Sequence, residues 1–174
     1  ENPVEGLLLR GARGPIELLE EASVVDQELI RRCLDIIISG QRMDLERFSD
    51  KDGSGIRSLS RYEEMDDYAY RVAGSVGEFW TEICLEHAFE ASTQLKEELM
   101  STGVRFGKAL QLISILRDIP EDLEIGRCYI PTDDLEKIGL SPDDLLHSDS
   151  IDVFRPLLDQ YIARTEDNHD EDVR

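Results

Sequence analysis

Basic residues are scarce in this sequence, which has 19 lysines and arginines against 39 aspartates and glutamates over 174 residues. The formal net charge of −20 repels nucleic-acid phosphates and anionic lipid headgroups, and no local basic patch offsets it. We therefore expect no nucleic-acid partner. If the substrate is itself an anion such as a diphosphate, divalent cations must help bring it to so acidic a protein.

Cysteine and long apolar runs are also scarce. Cys33, Cys84 and Cys128 stand far apart and form no CxxC pair, which argues against a disulfide framework and a zinc site and favours a reducing compartment. The longest apolar runs, such as residues 36–38, fall far short of the roughly 20 residues that span a bilayer. We expect a cytoplasmic protein with no transmembrane segment, with peripheral membrane contact left open.

No segment alternates between polar and apolar residues with a period of two, which argues against β-strands. Apolar residues instead recur at helical spacing. They predict helices over about 16–38, ending near Gly40, and over most of 59–92, 103–123 and 153–166. The segments 48–58 and 126–145 are predicted loops, the second with short helical turns. The sequence predicts an all-α fold, with residues 1–174 forming a single helical domain.

The segment QLISILRDIPED, residues 111–122, places an apolar run against a cluster of acids. The helix is apolar on nearly all sides, which predicts that it is buried. Its polar exceptions recur at steps of three, four and four and therefore share one face. These residues are Gln111, Ser114, Asp118 and Asp122. Such a polar stripe on a buried helix is expected where the helix lines a cavity.

Carboxylates at positions i and i+4 can both offer oxygen atoms to Mg²⁺, which bridges protein carboxylates to a substrate diphosphate. Glu121 lies beside this pair, and Arg117 is placed to bind phosphates or to neutralise an acid. The alternative is a solvated acidic helix end, and Pro120 adds a kink that alters the shared face.

A second segment, YAYRVAGSVGEFW, concentrates small residues that allow a backbone or an apolar ligand to approach closely. Tyr68 can present its hydroxyl to a cavity as a proton donor or, when activated, as an acceptor. Judged by spacing alone, tight helix packing with a half-buried tyrosine is the favoured interpretation of this segment.

Other apparent motifs fail on inspection. The segment from Asp50 imitates an EF-hand loop, but Arg61 occupies the twelfth position, where calcium binding requires a glutamate. His87, His147 and His169 show no metal-binding spacing, and we interpret them as structural. The sequence has no GxSxG, Walker-type or GxGxxG pattern, so hydrolase, P-loop and dinucleotide-fold readings lack support.

The motif YAYRVAGSVG, followed about 30 residues later by GKALQLISILRDIPEDLEIGRCYIP, resembles the squalene/phytoene synthase family of head-to-head prenyl synthases. The resemblance covers roughly residues 42–140 and includes the segment QRMDL. It implies an isoprenoid synthase-type helical bundle. It also implies Mg²⁺-dependent condensation of two farnesyl or geranylgeranyl diphosphates to squalene, dehydrosqualene or phytoene, with release of diphosphate. Mn²⁺ is an alternative metal, and NADPH is needed only if the product is squalene.

The resemblance also implies roles for individual residues. Asp118 and Asp122, with Glu121 adjacent, would hold Mg²⁺ against a diphosphate. Arg117 would lie near the phosphates, and Tyr68 matches the motif tyrosine implicated in proton transfer or carbocation handling. The remaining implied substrate-binding positions are Val72, Ala73, Gly74 and Gly77 along the prenyl channel, and Gln111 and Ser114 near the metal site.

The sequence departs from the family pattern in two places. Ser114 stands where the family usually has an asparagine, which weakens one metal or diphosphate contact. The acids of residues 1–41 do not form the first aspartate-rich motif that precedes QRMDL in the family. We therefore expect a partial synthase chain, incomplete at the N-terminus and also short at the C-terminus. The alternative is a noncatalytic helical remnant that binds a prenyl lipid or a protein partner, and the oligomeric state is left open.

Overall fold

The computed structural model describes residues 3–49 and 55–170, except for the side chains of residues 3–5, 9 and 166–170. Nearly all regular structure in these residues is helical, which confirms the predicted all-α fold. The helices are α1 (Pro3–Gly11), α2 (Arg13–Glu21), α3 (Val24–Arg47), α4 (Tyr62–Ala69), α5 (Ser75–His87), α6 (Thr93–Arg117), α7 (Ile119–Glu124), α8 (Thr132–Lys137) and α9 (Ile151–Asp170). The other elements are a π-helical segment (Tyr70–Gly74), two 3₁₀ turns (Pro142–Leu146 and Ser148–Ser150), and strands β1 (Arg57–Ser58) and β2 (Arg127–Cys128).

Helices α5 and α6 cross so closely that their backbones touch. A Cβ atom built on Gly77 would lie 1.8 Å from the carbonyl oxygen of Gly103. One built on Gly107 would lie 2.2 Å from the carbonyl oxygen of Ala73, in the π-helical segment that leads into α5. Only glycine permits such an approach, because any side chain would occupy the space of the facing backbone. The small residues of the segment are therefore used, at least in part, for helix packing.

The hydrophobic core joins α4, α6, α7, α8 and α9 to β2 and to Leu59, the residue after β1. The strands pair in parallel, with Arg57 opposite Arg127. The Leu59 N–H donates to the carbonyl oxygen of Cys128 at 3.2 Å. This pairing holds the segment that follows α7 against the segment that precedes α4. It thereby places Tyr129, next after β2, beside Tyr68 of α4.

The predicted end of the first long helix near Gly40 was wrong, because α3 continues to Arg47. Gly40 is buried, and a Cβ atom there would lie 2.8 Å from the Cβ of Arg71. Its backbone φ angle is not positive, unlike that of a glycine that ends a helix. Gly40 thus permits close packing inside a helix and does not terminate it.

The helix predicted over residues 103–123 is two helices. Helix α6 ends at Arg117, and Asp118, with φ −94° and ψ 9°, leads into α7. Pro120 explains the break, because proline lacks an N–H donor and its ring clashes with the preceding helical turn. The prediction that this helix is buried on all sides was also wrong: Leu110 and Ile113 are each 50% exposed.

Two charged contacts tie α3 to α5. Arg32 pairs with Glu82, and the Nε2 atom of His87 lies 2.7 Å from the Oδ1 atom of Asp26. The hydrogen bond to Asp26 raises the pKa of His87, and the same contact lowers the pKa of Asp26. The contact therefore joins the start of α3 to the end of α5 while both groups are charged.

Replacing Gly77 with alanine should lower the free energy of unfolding by about 3 kcal/mol, because the added methyl group collides with the Gly103 carbonyl. Gly14→Ala is the matched control, since no atom lies within 4 Å of its added Cβ. It should stabilise α2 by about 0.5 kcal/mol. Urea unfolding followed by circular dichroism measures both. Similar free energies of unfolding for the two variants would contradict the close crossing of the helices.

The His87 contact predicts a pH-dependent contribution to stability. Because the folded pKa of His87 is raised, its contribution is fully present below the unfolded value of about 6.5 and is lost as the pH rises through the folded pKa. Because the folded pKa of Asp26 is lowered, its contribution is present above 3.8 and is lost in more acidic solution. The difference in Tm between the protein and His87→Gln should be largest between about pH 4 and 6.

The same difference in Tm should shrink toward pH 9, and added salt should reduce it, because both side chains are solvent-accessible. Thermal unfolding of both proteins across this pH range checks the expectation. A difference that stays constant from pH 5 to 9 would contradict it.

Candidate active site

A polar cleft of about 170 Å³ opens where the end of α6 meets α4, α7 and the segment after β2. Its lining residues are Tyr68, Gln111, Ser114, Ile115, Asp118, Asp122 and Tyr129. Five of them belong to the site predicted from the sequence, and they come from two segments some 40 positions apart. The fold therefore brings the motif tyrosine and the acidic stripe into one cleft.

The helix break at Asp118 does not separate the two aspartates. The Asp118 N–H donates to the carbonyl oxygen of Ser114, and the Asp122 N–H donates to that of Asp118, each at 2.9 Å. Helical hydrogen bonds of the i, i+4 type thus run through the junction between α6 and α7. The two carboxylates line the same cleft one turn apart, although Pro120 interrupts the helix.

The charge of Asp122 is poorly compensated. Its partly buried carboxyl has a raised pKa, caused first by burial and next by the negative charge of Asp118, while Arg127 opposes the shift. Asp44 and Glu121 add further negative charge. Among the described residues, no basic side chain forms a salt bridge with Asp122. The cleft therefore concentrates negative charge beside neutral oxygen atoms.

The environment of Asp118 differs from that of Asp122, because the Arg117 guanidinium pairs with Asp118 through two contacts. The Nε–Oδ1 distance is 2.6 Å and the Nη2–Oδ2 distance is 2.7 Å. The hydrogen bond from Arg117 lowers the pKa of Asp118. The Arg117 side chain is 68% exposed and does not line the cleft, and Glu121 is also exposed outside it. Their predicted roles toward phosphates and metal stay predictions.

Three residues that the sequence did not single out form a hydrogen-bonded group next to the cleft, and only Tyr129 of the three lines it. Asp44 of α3 accepts a hydrogen bond from the Tyr129 hydroxyl through Oδ1 and one from Arg127 Nη1 through Oδ2, the latter at 2.8 Å. The rings of Tyr129 and Tyr68 stack with centroids 5.0 Å apart. Burial raises the pKa of both tyrosines, and the bond to Asp44 adds to the shift for Tyr129. Both hydroxyls therefore keep their protons at neutral pH.

The sequence contained a usable signal for these residues. Asp44 lies in QRMDL, and Arg127 and Tyr129 lie in GRCYIP, both inside the segments that carry the family resemblance. Helical periodicity could not reveal them, because their contacts join positions 83 and 85 residues apart. A buried carboxylate is found only once its tertiary partners are known.

Four predicted channel residues, Val72, Ala73, Gly74 and Gly77, lie outside the cleft lining. Gly77 and Ala73 contact α6 at the helix crossing, and Gly74 faces the Lys108 side chain there. Their assignment to a prenyl channel stays a prediction.

Two negative observations hold for the described part of the chain. It contains no group of three or more His, Cys, Asp or Glu side chains arranged to hold a metal ion. Of its helices, none combines the length and apolarity needed to cross a membrane. The EF-hand-like segment falls partly outside the described residues, which omit positions 50–54, and Arg61 at its twelfth position is exposed.

Comparison with known proteins identifies the family of the chain. Residues 12–171 match the sequence model of the family described as Squalene/phytoene synthase. The chain belongs to this family. It is 35% identical to 15-cis-phytoene synthase of Synechocystis over 132 residues, which are 74% of this chain and 36% of that protein. It is 32% identical to Phytoene synthase 1, chloroplastic, of Arabidopsis thaliana over 166 residues, covering 90% and 35% of the two chains.

Solved structures confirm the isoprenoid synthase-type helical fold. The squalene synthase HpnC from Alicyclobacillus acidocaldarius superposes with a TM-score of 0.62 at 23% identity, covering 81% of this chain and 47% of that one. A dehydrosqualene synthase in complex with ligand gives a TM-score of 0.63 at 23% identity, with coverages of 81% and 44%. The chain thus spans about a third of the length of these two phytoene synthases and under half of the two solved structures.

Neutralising Asp122 should stabilise the metal-free protein. Since burial and the Asp118 charge raise its pKa above 3.8, the folded state at pH 7 carries a charge that it disfavours. Asp122→Asn should raise the Tm at pH 7 by about 1–3 °C, and the gain should shrink as the pH falls toward 4. Thermal unfolding without metal measures the change. Asp35→Asn, at an exposed acid of α3, is the control, and a lower Tm for Asp122→Asn would contradict the expectation.

Proposed function

We propose that the cleft, within the complete protein, binds the diphosphate group of a prenyl diphosphate together with Mg²⁺. The reaction is the head-to-head condensation of two farnesyl or geranylgeranyl diphosphates to squalene, dehydrosqualene or phytoene. The observation that carries the proposal is the pair Asp118 and Asp122, one helical turn apart on the wall of a polar cleft. Family membership and the relatives named phytoene synthase support the same chemistry.

The cleft suits a hard divalent cation. Its candidate metal ligands are carboxylate, amide and hydroxyl oxygens, which are the ligand types that Mg²⁺ and Mn²⁺ prefer. They belong to Asp118, Asp122, Gln111 and Ser114. The raised pKa of Asp122 signals negative charge that a cation would offset. Glu121, exposed beside the pair, would complete the acidic rim. A metal held by these residues would supply positive charge that offsets the negative charge of the departing diphosphate.

The side chains around the aspartates would orient the substrate. Gln111 and Ser114 can donate hydrogen bonds to diphosphate oxygens from the same wall. The serine hydroxyl has a shorter reach than the asparagine usual in the family, so we expect a looser diphosphate contact at this position. Arg117 pairs with Asp118 from outside the cleft lining, and we propose that it shares this contact with a phosphate oxygen when diphosphate binds.

The tyrosine pair would act on the other side of the cleft. Because burial raises its pKa, Tyr68 holds its proton at neutral pH and can donate a hydrogen bond to the departing oxygen. The stacked rings of Tyr68 and Tyr129 offer aromatic surface that stabilises a nearby carbocation through cation–π attraction. We propose that the small residues Val72, Ala73, Gly74 and Gly77 border the prenyl chain.

Release of diphosphate by the complete protein tests the function. With farnesyl or geranylgeranyl diphosphate, release should require Mg²⁺, stop on addition of a chelator and return with excess metal. Asp118→Asn and Asp122→Asn should each slow release at least about 100-fold, because each removes a charged metal ligand. Asp143→Asn, at an exposed acid of a 3₁₀ turn that does not line the cleft, should leave the rate unchanged.

A second measurement does not depend on turnover. Mg²⁺ with inorganic diphosphate should raise the Tm of the protein and have little effect on Asp122→Asn, because binding to the folded state stabilises it. The absence of both release and Mg²⁺-dependent binding would overturn the proposal. Prenyl lipid binding that is indifferent to Mg²⁺ would instead indicate the noncatalytic alternative. Dependence of the product on NADPH would distinguish squalene from phytoene and dehydrosqualene.

A further inference from the structure

Asp44 is the only charged side chain that is buried among the residues with described burial, and it is 8% exposed. Burial of a carboxylate is costly unless hydrogen bonds and opposite charge compensate for it. Tyr129 and Arg127 supply the hydrogen bonds and the opposite charge, from positions 85 and 83 residues further along the chain. A carboxylate at this position needs an explanation beyond packing, because an apolar residue could fill the same volume without the desolvation cost.

The contacts of Tyr129 show what Asp44 holds in place. The Tyr129 ring lies between two others, with centroids 5.0 Å from Phe48 at an interplanar angle of 60° and 5.0 Å from Tyr68 at 24°. Its hydroxyl is fixed by Asp44 and interacts with the hydroxyl of Tyr68. Asp44 itself does not line the cleft, whereas both tyrosines do.

We propose that Asp44 is a positioning residue for the reaction, which acts by anchoring Tyr129 so that Tyr68 faces the aspartate pair across the cleft. This inference rests on the proposed function. The Tyr68 ring packs against Tyr129, so a shift of Tyr129 moves the surface that supports it. A misplacement of about 1 Å at a reacting group can slow an enzyme about 100-fold, which makes such an anchor effective without contact to substrate.

The chain offers a matched internal control for a purely structural role. The Tyr161 hydroxyl donates to the Oδ2 atom of Asp134 at 2.6 Å, and Tyr161 is a buried core residue. Neither residue lines the cleft. The two pairs are therefore equivalent in chemistry, tyrosine to aspartate, and differ in whether the tyrosine faces the candidate site.

The test compares Asp44→Asn and Tyr129→Phe with Asp134→Asn and Tyr161→Phe in the complete protein. Thermal unfolding reports the structural loss in each variant, and steady-state diphosphate release reports kcat and KM. All four variants should lower the Tm. The kcat should fall about ten-fold only in the first two, with KM changed less than about two-fold, because positioning of Tyr68 affects the reacting state. Tyr129→Phe keeps the stacked ring and provides the milder variant if Asp44→Asn folds poorly.

Each outcome bears on the inference. A kcat that falls in the first pair and not in the control pair supports it. Equal kcat values in all four variants, with an active parent protein, overturn it while leaving the proposed function intact. A raised KM with unchanged kcat also overturns it, because Asp44 would then support binding and not the placement of Tyr68. A parent protein that releases no diphosphate overturns the proposed function and this inference together.

Discussion

The backbones of α5 and α6 touch at their glycines, and the geometry of the cleft depends on that contact. Gly77 lies against Gly103, and Gly107 lies against Ala73 in the π-helical segment that leads into α5, so the separation and register of α6 against this part of the chain are fixed. The π-helical segment before α5 then leads back to α4, where Lys108 of α6 pairs with Asp66 at 2.5 Å. Tyr68 is thereby held near the end of α6, which carries the acidic stripe.

Two aspartates in and near the cleft have opposite effects on the stability of the fold. Asp122 carries a charge that burial and its neighbours disfavour, whereas Asp44, deeper in the protein, is compensated by Tyr129 and Arg127. An uncompensated charge at a binding site is a common compromise between stability and function. Under the proposed function, the same feature would attract a cation, since Arg127 offsets the negative charge at Asp122 only in part.

Local sequence patterns predicted the parts of the candidate site whose residues are close together in the sequence. The i, i+4 spacing placed Asp118 and Asp122 together, and hydrogen bonding through the helix junction preserved this arrangement despite Pro120. The same patterns misplaced the end of α3, because a glycine that serves close packing and a glycine that ends a helix look alike until the neighbouring helix is known. Asp44 was missed for a related reason, since its partners are distant in sequence.

The short parallel strand pair has a consequence for the order in which the molecule assembles. It joins residues 70 positions apart, and the Asp44 contacts span even longer stretches, whereas α5 and α6 are neighbours in the chain. Closing a long loop costs more entropy than joining adjacent helices, so distant contacts tend to form later in folding. The helical hairpin can therefore form before the tyrosine pair meets, and the cleft becomes complete only as the last long-range contacts close.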